Sequence, residues 1–245
     1  MSLASEIDVF KWDVLNQAIK SNVFKTATPF PHIVIDGAFV CHALERILLD
    51  WPIMADNVEE HNDGLYVKKK YSTTWETSLT PPISFFLNQL TSPKFLTYLE
   101  DLTGIGGLIP DPYNYGGGLH QTNIGGKLAV HADYNKHFKF KLDRRLNLLI
   151  YLNKDWGNLM GGELELWDHG MTECVKRIKP IFNRTVVFTT TSFSFHGQPN
   201  PVACPQGESR KSIALYYFSN GRPEEGVANV LEHSTVWMQR PNEGY

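Results

Sequence analysis

The sequence predicts a mostly β protein with some α-helix: a sandwich or jelly roll carrying an N-terminal helical portion packed on it. Three observations lead there. From about Tyr113 onward, short segments rich in β-branched, aromatic and leucine residues follow one another, bounded by turn residues and without helical periods between them. Strands of that kind at near-regular spacing suit two packed antiparallel sheets. Before that point, apolar residues recur instead at helical spacing. The chain has 245 residues, 42% hydrophobic and 20% charged, which is enough to bury one large core and too apolar for a disordered chain.

Taken in order, Ser5 is placed to cap a first helix in which Phe10, Val14, Leu15, Ala18 and Ile19 form one stripe. Residues 32–35 read as a short strand ended by Asp36-Gly37. Ala43, Leu44, Ile47, Leu48 and Trp51 mark the next helix, closed by Pro52. Two more helices are expected near 82–90 and 93–102. Between the helical groups, residues 54–79 show no clear period. They hold an acidic cluster (Glu59, Glu60, Asp63), then Lys68, Lys69 and Lys70, then Tyr71 and Trp75. A stretch of that length reads as a binding loop or lid, with Tyr71 and Trp75 available to stack on a substrate ring. Gly116-Gly117-Gly118 and Gly125-Gly126 punctuate the start of the β region. Strands are then expected over 146–153, 162–167, 174–178, 185–190 and 211–218. The resulting organisation is a helical portion with its loop over 1–110, a β core over 111–220, and a polar tail over 221–245 packing on that core, one structural domain overall.

Charge and cysteine usage narrow the function. Net charge is −3 and the pI about 6.3, so no global basic field for nucleic acid exists. The densest apolar run, 146–152, is interrupted by Asn147 and is too short to span a bilayer. The first ten residues include acidic ones and lack a signal-peptide apolar run. Cys41, Cys174 and Cys204 are widely spaced and odd in number, which fits neither a disulfide framework nor a zinc ribbon and suits a reducing compartment. A cytoplasmic protein with neither nucleic acid nor membrane as partner is expected.

The sharpest local feature is His131-Ala132-Asp133. Residues i and i+2 of a strand share a face, so an imidazole and a carboxylate converge. A metal site needs another ligand, and His196, in Ser194-Phe-His-Gly-Gln198 after an apolar strand, is placed to supply it. Two histidines and one carboxylate leave adjacent positions open on a metal, an arrangement suited to ferrous iron. Arg210-Lys211-Ser212 opens the last strong strand. Arg210 and Ser212 share a face there and offer a carboxylate a two-pronged fork plus a hydroxyl. In the strand 146–153, Leu146, Leu148, Ile150 and Leu152 form a core face. Asn147, Leu149 and Tyr151 form a mixed face suited to a pocket wall, with Tyr151 as a hydroxyl donor and Leu149 packing along an aliphatic chain.

In this order and spacing the motifs resemble a family. Residues 117–218, with Arg145-Leu-Asn-Leu-Leu-Ile-Tyr151-Leu-Asn-Lys-Asp-Trp156, Gly161-Gly-Glu-Leu-Glu-Leu-Trp167 and Arg210-Lys-Ser-Ile-Ala-Leu-Tyr-Tyr217, are similar to bacterial iron(II)/2-oxoglutarate-dependent dioxygenases of the prolyl 4-hydroxylase-like group. The resemblance implies a double-stranded β-helix, with His131, Asp133 and His196 as the iron triad. It implies Arg210, Ser212 and Tyr151 as the clamp on the distal carboxylate of 2-oxoglutarate, with Leu149 and Asn147 beside them. It further implies Fe(II), 2-oxoglutarate and O2 as reactants, succinate and CO2 as products, and hydroxylation of an unactivated C–H bond in a small-molecule or peptidyl substrate. In the halogenase branch of the superfamily a small residue replaces the carboxylate; with Asp133 present, hydroxylation is the implied outcome. His196 and Arg210 are 14 residues apart, a longer gap than in animal oxygen-sensing relatives, which leaves Lys211 as a rival for the clamp. Five cations between Lys136 and Arg145 suggest a basic lip for an acidic substrate. Two readings from other classes are a metal-free jelly-roll module binding carbohydrate or peptide, and a zinc hydrolase built on the same triad.

Overall fold

The computed structural model describes residues 8–54, 58–74, 76–222 and 231–241. In chain order its elements are α1 (Trp12–Ser21), α2 (Val23–Thr26), β1 (His32–Asp36), α3 (Cys41–Leu49), β2 (Val58–His61), β3 (Val67–Thr73), α4 (Pro81–Leu90), α5 (Pro93–Thr103), β4 (Ile109–Pro110), β5 (Gly118–Ala132), β6 (Asp143–Tyr151), β7 (Leu164–Trp167), β8 (Cys174–Ile178), β9 (Arg184–Thr189), β10 (His196–Gln198), β11 (Arg210–Ser219) and β12 (Val236–Trp237). The helix ends follow from local chemistry. Ser92 accepts the Phe95 N–H with its side chain, Pro93 starts α5, and Gly104 closes it in a left-handed conformation. α3 stops at Leu49, so Trp51 falls outside the helix; its indole N–H donates to Gln121 Oε1 at 2.9 Å. Ser5 and Trp75 lie outside the described residues.

Alternation along β6 sorts the molecule into layers. Leu146, Leu148 and Ile150 are fully buried and join Ile213, Leu215 and Tyr217 of β11 in a core shared with α1, α3, α4 and α5. The helices therefore cover the outer face of the sheet, and Asn147, Leu149 and Tyr151 face inward. Among the described residues the strands form one antiparallel sheet in the order β1-β9-β6-β11-β5-β10-β7-β8, with β3 and β12 also on β5 and β2 on β3. It curls into the two leaves of a double-stranded β-helix. β5 belongs to both. Its first half pairs with β11 and its second half with β10 and β12, while β3 runs beside both.

The corner of β5 sits at Gly125-Gly126. A Cβ at Gly126 would come within 2.8 Å of the Lys68 carbonyl oxygen, and Gly125 has φ 75°, so glycine permits the close approach of β3 there. The aperiodic stretch 54–79 contains the β2–β3 hairpin, a difference from the loop expected. Its period is hidden by a bulge: the register with β5 slips between Lys68 and Lys70, with Lys69 at φ 49°. The extra residue turns Lys70 toward the inner face and Tyr71 away from it. Tyr71 meets Glu60 through its hydroxyl at 3.3 Å and does not line the cavity described below. Beyond β11, residues 231–241 cross back over β5, and the Trp237 indole stacks on Tyr66 of the hairpin turn at 4.9 Å.

Candidate active site

The pairing of β10 with β5 places His196 directly opposite His131, and Asp133 follows two residues after His131. The two rings lie 4.6 Å apart between centroids. His131 Nε2 stands 3.6 Å from Asp133 Oδ1, and His196 Nε2 3.5 Å from Asp133 Oδ2. One donor atom from each residue lies within 4.8 Å of the others, the one such group found among the described residues. Each imidazole commits Nδ1 to a backbone carbonyl: His131 to Ala129 O and His196 to Ser194 O, both at 2.8 Å. With Nδ1–H donated there, Nε2 carries a bare lone pair toward the carboxylate. Burial pushes His196 down to about 4, which keeps its ring neutral. Two ring nitrogens and a carboxylate converging on one point fit a divalent cation held by N and O ligands, with further positions open toward the cavity.

Asp133 is held from behind. Asn147 Nδ2 donates to its Oδ2 at 2.8 Å, and the Arg144 guanidinium lies 3.1 Å from the same oxygen. Asn147 in turn accepts from Arg144 Nε and Nη2 through Oδ1. Arg144 is fully buried, with its guanidinium 3.6 Å from the Tyr216 ring centroid and 4.5 Å from that of Tyr134. Burial opposes the Asp133 charge, but Arg144 and then the two histidines outweigh it and hold the carboxyl well below the usual range. Asn147, expected beside the co-substrate, is thus committed to the metal-facing carboxylate. Arg144, expected on a basic lip, is its counterion. The other cations of that segment are also partnered: Lys136 with Asp143, Lys141 with Glu232, Lys139 with the Tyr113 hydroxyl and Arg145 with Ser219. The lip carries little unanswered charge.

On the same inner face, Ser212 of β11 is directly opposite Tyr151 of β6, and Arg210 lies two residues along. Arg210 is 7% exposed. Its Nε donates to Gly162 O at 2.7 Å and its guanidinium carbon sits 5.0 Å from the Tyr151 ring centroid. Its guanidinium forms no ion pair among the described residues and lies against the Tyr151 hydroxyl, and burial lowers its pKa. The Tyr151 hydroxyl is buried without a hydrogen-bond partner. Lys211 points to the other face and donates to Ser209 Oγ at 2.6 Å. A cavity of about 240 Å³ joins these groups: the triad, Arg210, Ser212, Leu149 and Asn147 all line it. Lys70, His61, His120 and Trp237 line it as well. Sequence periodicity did not point to them, because a bulge and a strand added from the tail set their directions.

Gly197 is a further site-building residue. A Cβ there would stand 2.7 Å from Ala129 O, the same carbonyl that orients His131. Gly197→Ala is expected to push β10 off β5, leaving the chain folded but lowering iron affinity about 10- to 100-fold, as when the groups orienting metal ligands are lost. A metal titration alongside thermal unfolding checks this.

The comparisons with known proteins agree with this geometry. Residues 117–218 match the 2OG-Fe(II) oxygenase superfamily. No curated protein matches the sequence. Among solved structures, the chain is similar to a prolyl-4-hydroxylase from Pseudomonas putida, with TM-score 0.60 and 14% identity over 83% of this chain and 100% of that one. It is similar to a prolyl 4-hydroxylase from Phytophthora capsici, with TM-score 0.59 and 17% identity over 89% of this chain and 68% of that one. It is also similar to a prolyl hydroxylase from Trichoplax adhaerens, solved with a peptide fragment of the hypoxia inducible factor oxygen degradation domain (TM-score 0.59, 16% identity, 85% of this chain and 93% of that one). At such identities the structural likeness is one of fold, and the superfamily match over the β core adds the chemistry. Residues 117–218 form a 2OG-Fe(II) oxygenase core on a prolyl 4-hydroxylase-like fold, the core of a 2-oxoglutarate-dependent dioxygenase.

Proposed function

We propose that this dioxygenase hydroxylates an unactivated C–H bond of a small-molecule or peptidyl substrate, with His131, Asp133 and His196 holding Fe(II). The observation that carries the reading is the pair of functions in one cavity: the Nε2 atoms of His131 and His196 converging on Asp133 at one place, and the Arg210 guanidinium, without an ion pair among the described residues, at another. Iron bound there, with 2-oxoglutarate and O2, supplies the oxidising power, releasing succinate and CO2. The chain's own groups do the placing. Arg210 offers its fork to the distal carboxylate, and Ser212 and Tyr151 add hydroxyl donors to it. Leu149 packs along the methylenes. Arg144 and Asn147 keep Asp133 ionised and fixed in direction. The Trp237 indole, beside His131 at 5.1 Å, restricts water on the tail side.

A zinc hydrolase has no use for the Arg210, Ser212 and Tyr151 group, and a metal-free binding module has none for the triad. The three unpaired cysteines support a reducing, cytoplasmic location. The test is uncoupled turnover. Protein purified without oxygen and loaded with Fe(II) is expected to convert 2-oxoglutarate to succinate on aeration, and the zinc-loaded protein is not. Succinate formation independent of iron, or metal-loaded protein that does not bind 2-oxoglutarate, would sink the reading.

A further inference from the structure

The cavity contains a cation that the chemistry above does not use. The bulge at Lys69 turns Lys70 into it. In register, Lys70 of β3 pairs with Thr122 of β5, whose other neighbour is Arg210 of β11. Lys70 and Arg210 thus flank Thr122 on the inner face, roughly 10 Å apart at the backbone. Lys70 makes neither a hydrogen bond through its ammonium nor an ion pair among the described residues. Burial pushes it down to about 8, so the half-buried side chain is drawn partly out of water yet is still charged at pH 7. Glu59 and Asp133 act on it through space, but neither forms an ion pair with it. His61 is opposite it in register, pushed down to about 4 by burial and then by Lys70; His120 is lowered by burial in the same way.

Charge matching then separates the three cations of the cavity wall. Arg144 is answered by Asp133. Arg210, with Ser212 and Tyr151, suffices for the distal carboxylate of 2-oxoglutarate. Lys70 is left without an anion in contact after both assignments, in a cavity where a bound metal would add more positive charge. An ammonium withdrawn from water and left unanswered is unfavourable, and a ligand's anion placed there gains from the low local dielectric. The neighbouring Lys68 and Lys69 are exposed and Lys69 donates to Ile124 O, so the feature belongs to Lys70 alone and not to the basic run.

We propose that Lys70 is the receptor for a carboxylate of the primary substrate, which makes the substrate an organic acid seated beside 2-oxoglutarate. This rests on the function proposed above. A substrate anchored at Lys70 has its carbon chain inside the same cavity as the open side of the triad. Acid selectivity then comes from the hairpin and not from the neutralised segment after Asp133.

The test uses the full chain loaded with Fe(II) and saturated with 2-oxoglutarate. Free and N-acetyl amino acids are each compared with their primary amides, reading succinate formed above the uncoupled background and hydroxylated product by mass. Acids are expected to stimulate turnover and amides not. Lys70→Met is expected to lose that stimulation by about tenfold or more, the loss of a charged hydrogen bond, while its 2-oxoglutarate constant stays within about threefold of wild type. Lys70→Arg should keep the preference for acids, and thermal unfolding reports that both variants are folded. Amides stimulating as well as acids, a panel in which no acid stimulates, or a Lys70→Met variant responding like wild type overturns the proposal. So does a Lys70→Met variant that loses 2-oxoglutarate as badly as Arg210→Ala, since Lys70 would then serve the co-substrate. Absence of uncoupled turnover in the wild type is a different failure, that of the underlying function.

Discussion

His196→Ala, His131→Ala and Asp133→Ala proteins are each expected to make no succinate, the two histidine variants while unfolding at nearly the wild-type temperature. The three proposed ligands come from β10, from β5 and from the residue that follows β5, and each offers one donor atom to a single point. Removing one takes away metal affinity and the facial geometry together. The fold does not depend on them, because the main core lies on the far side of the sheet, between β6, β11 and the helices. Asp133→Ala has a second consequence. It strips Arg144 of its anion while that guanidinium stays fully buried, so this variant is expected to be the least stable of the three. Iron titration, succinate assay and thermal unfolding on the same preparations decide it. Full activity in the His196 variant would mean that another residue completes the site.

Arg210→Ala is expected to raise the apparent constant for 2-oxoglutarate by roughly 30-fold to several-thousand-fold, matching the 2–5 kcal/mol cost of truncating one partner of a buried charge pair. The side chain is pre-positioned by the Gly162 carbonyl, so the fork loses little entropy on binding. Arg210→Lys should not rescue fully, since an ammonium cannot make the planar two-pronged contact. Ser212→Ala and Tyr151→Phe each remove one donor and should cost less, about 1.5–3 kcal/mol. Iron binding should survive in all of them. Lys211→Ala is the control: its ammonium is on the opposite face, bonded to Ser209. A larger effect from Lys211 than from Arg210 would overturn the assignment of the clamp.

How much of this was legible in the sequence varies with the physics involved. Strand and helix existence followed from period and turn residues: β8 was expected over 174–178 and spans Cys174–Ile178, and β6, β9 and β11 shift by only one to three residues. The inward sets His131/Asp133 and Arg210/Ser212 were legible because a two-residue period within one strand determines a face. Relations across strands were not. Asn147 reads as a pocket-wall residue from its face, but its bond to Asp133 depends on where β5 ends relative to β6. Arg144 reads as one charge among five, and only burial between Tyr134 and Tyr216 separates it from the exposed lysines. Lys70 was hidden because one bulged residue reverses the face of everything after it.

β5 also governs how the site comes into being. Its 15 residues meet β3 upstream and β10, β11 and β12 downstream, partners separated from it by tens of residues up to about a hundred. Such pairings close large loops before any contact rewards them, and folds dominated by them form in milliseconds to seconds. His131 and His196 become neighbours only when β10 docks on β5, and Lys70 and Arg210 only when β3 and β11 flank it. A refolding chain therefore acquires metal affinity late, after its two leaves have joined. Iron added to refolding protein should slow unfolding far more than it speeds folding.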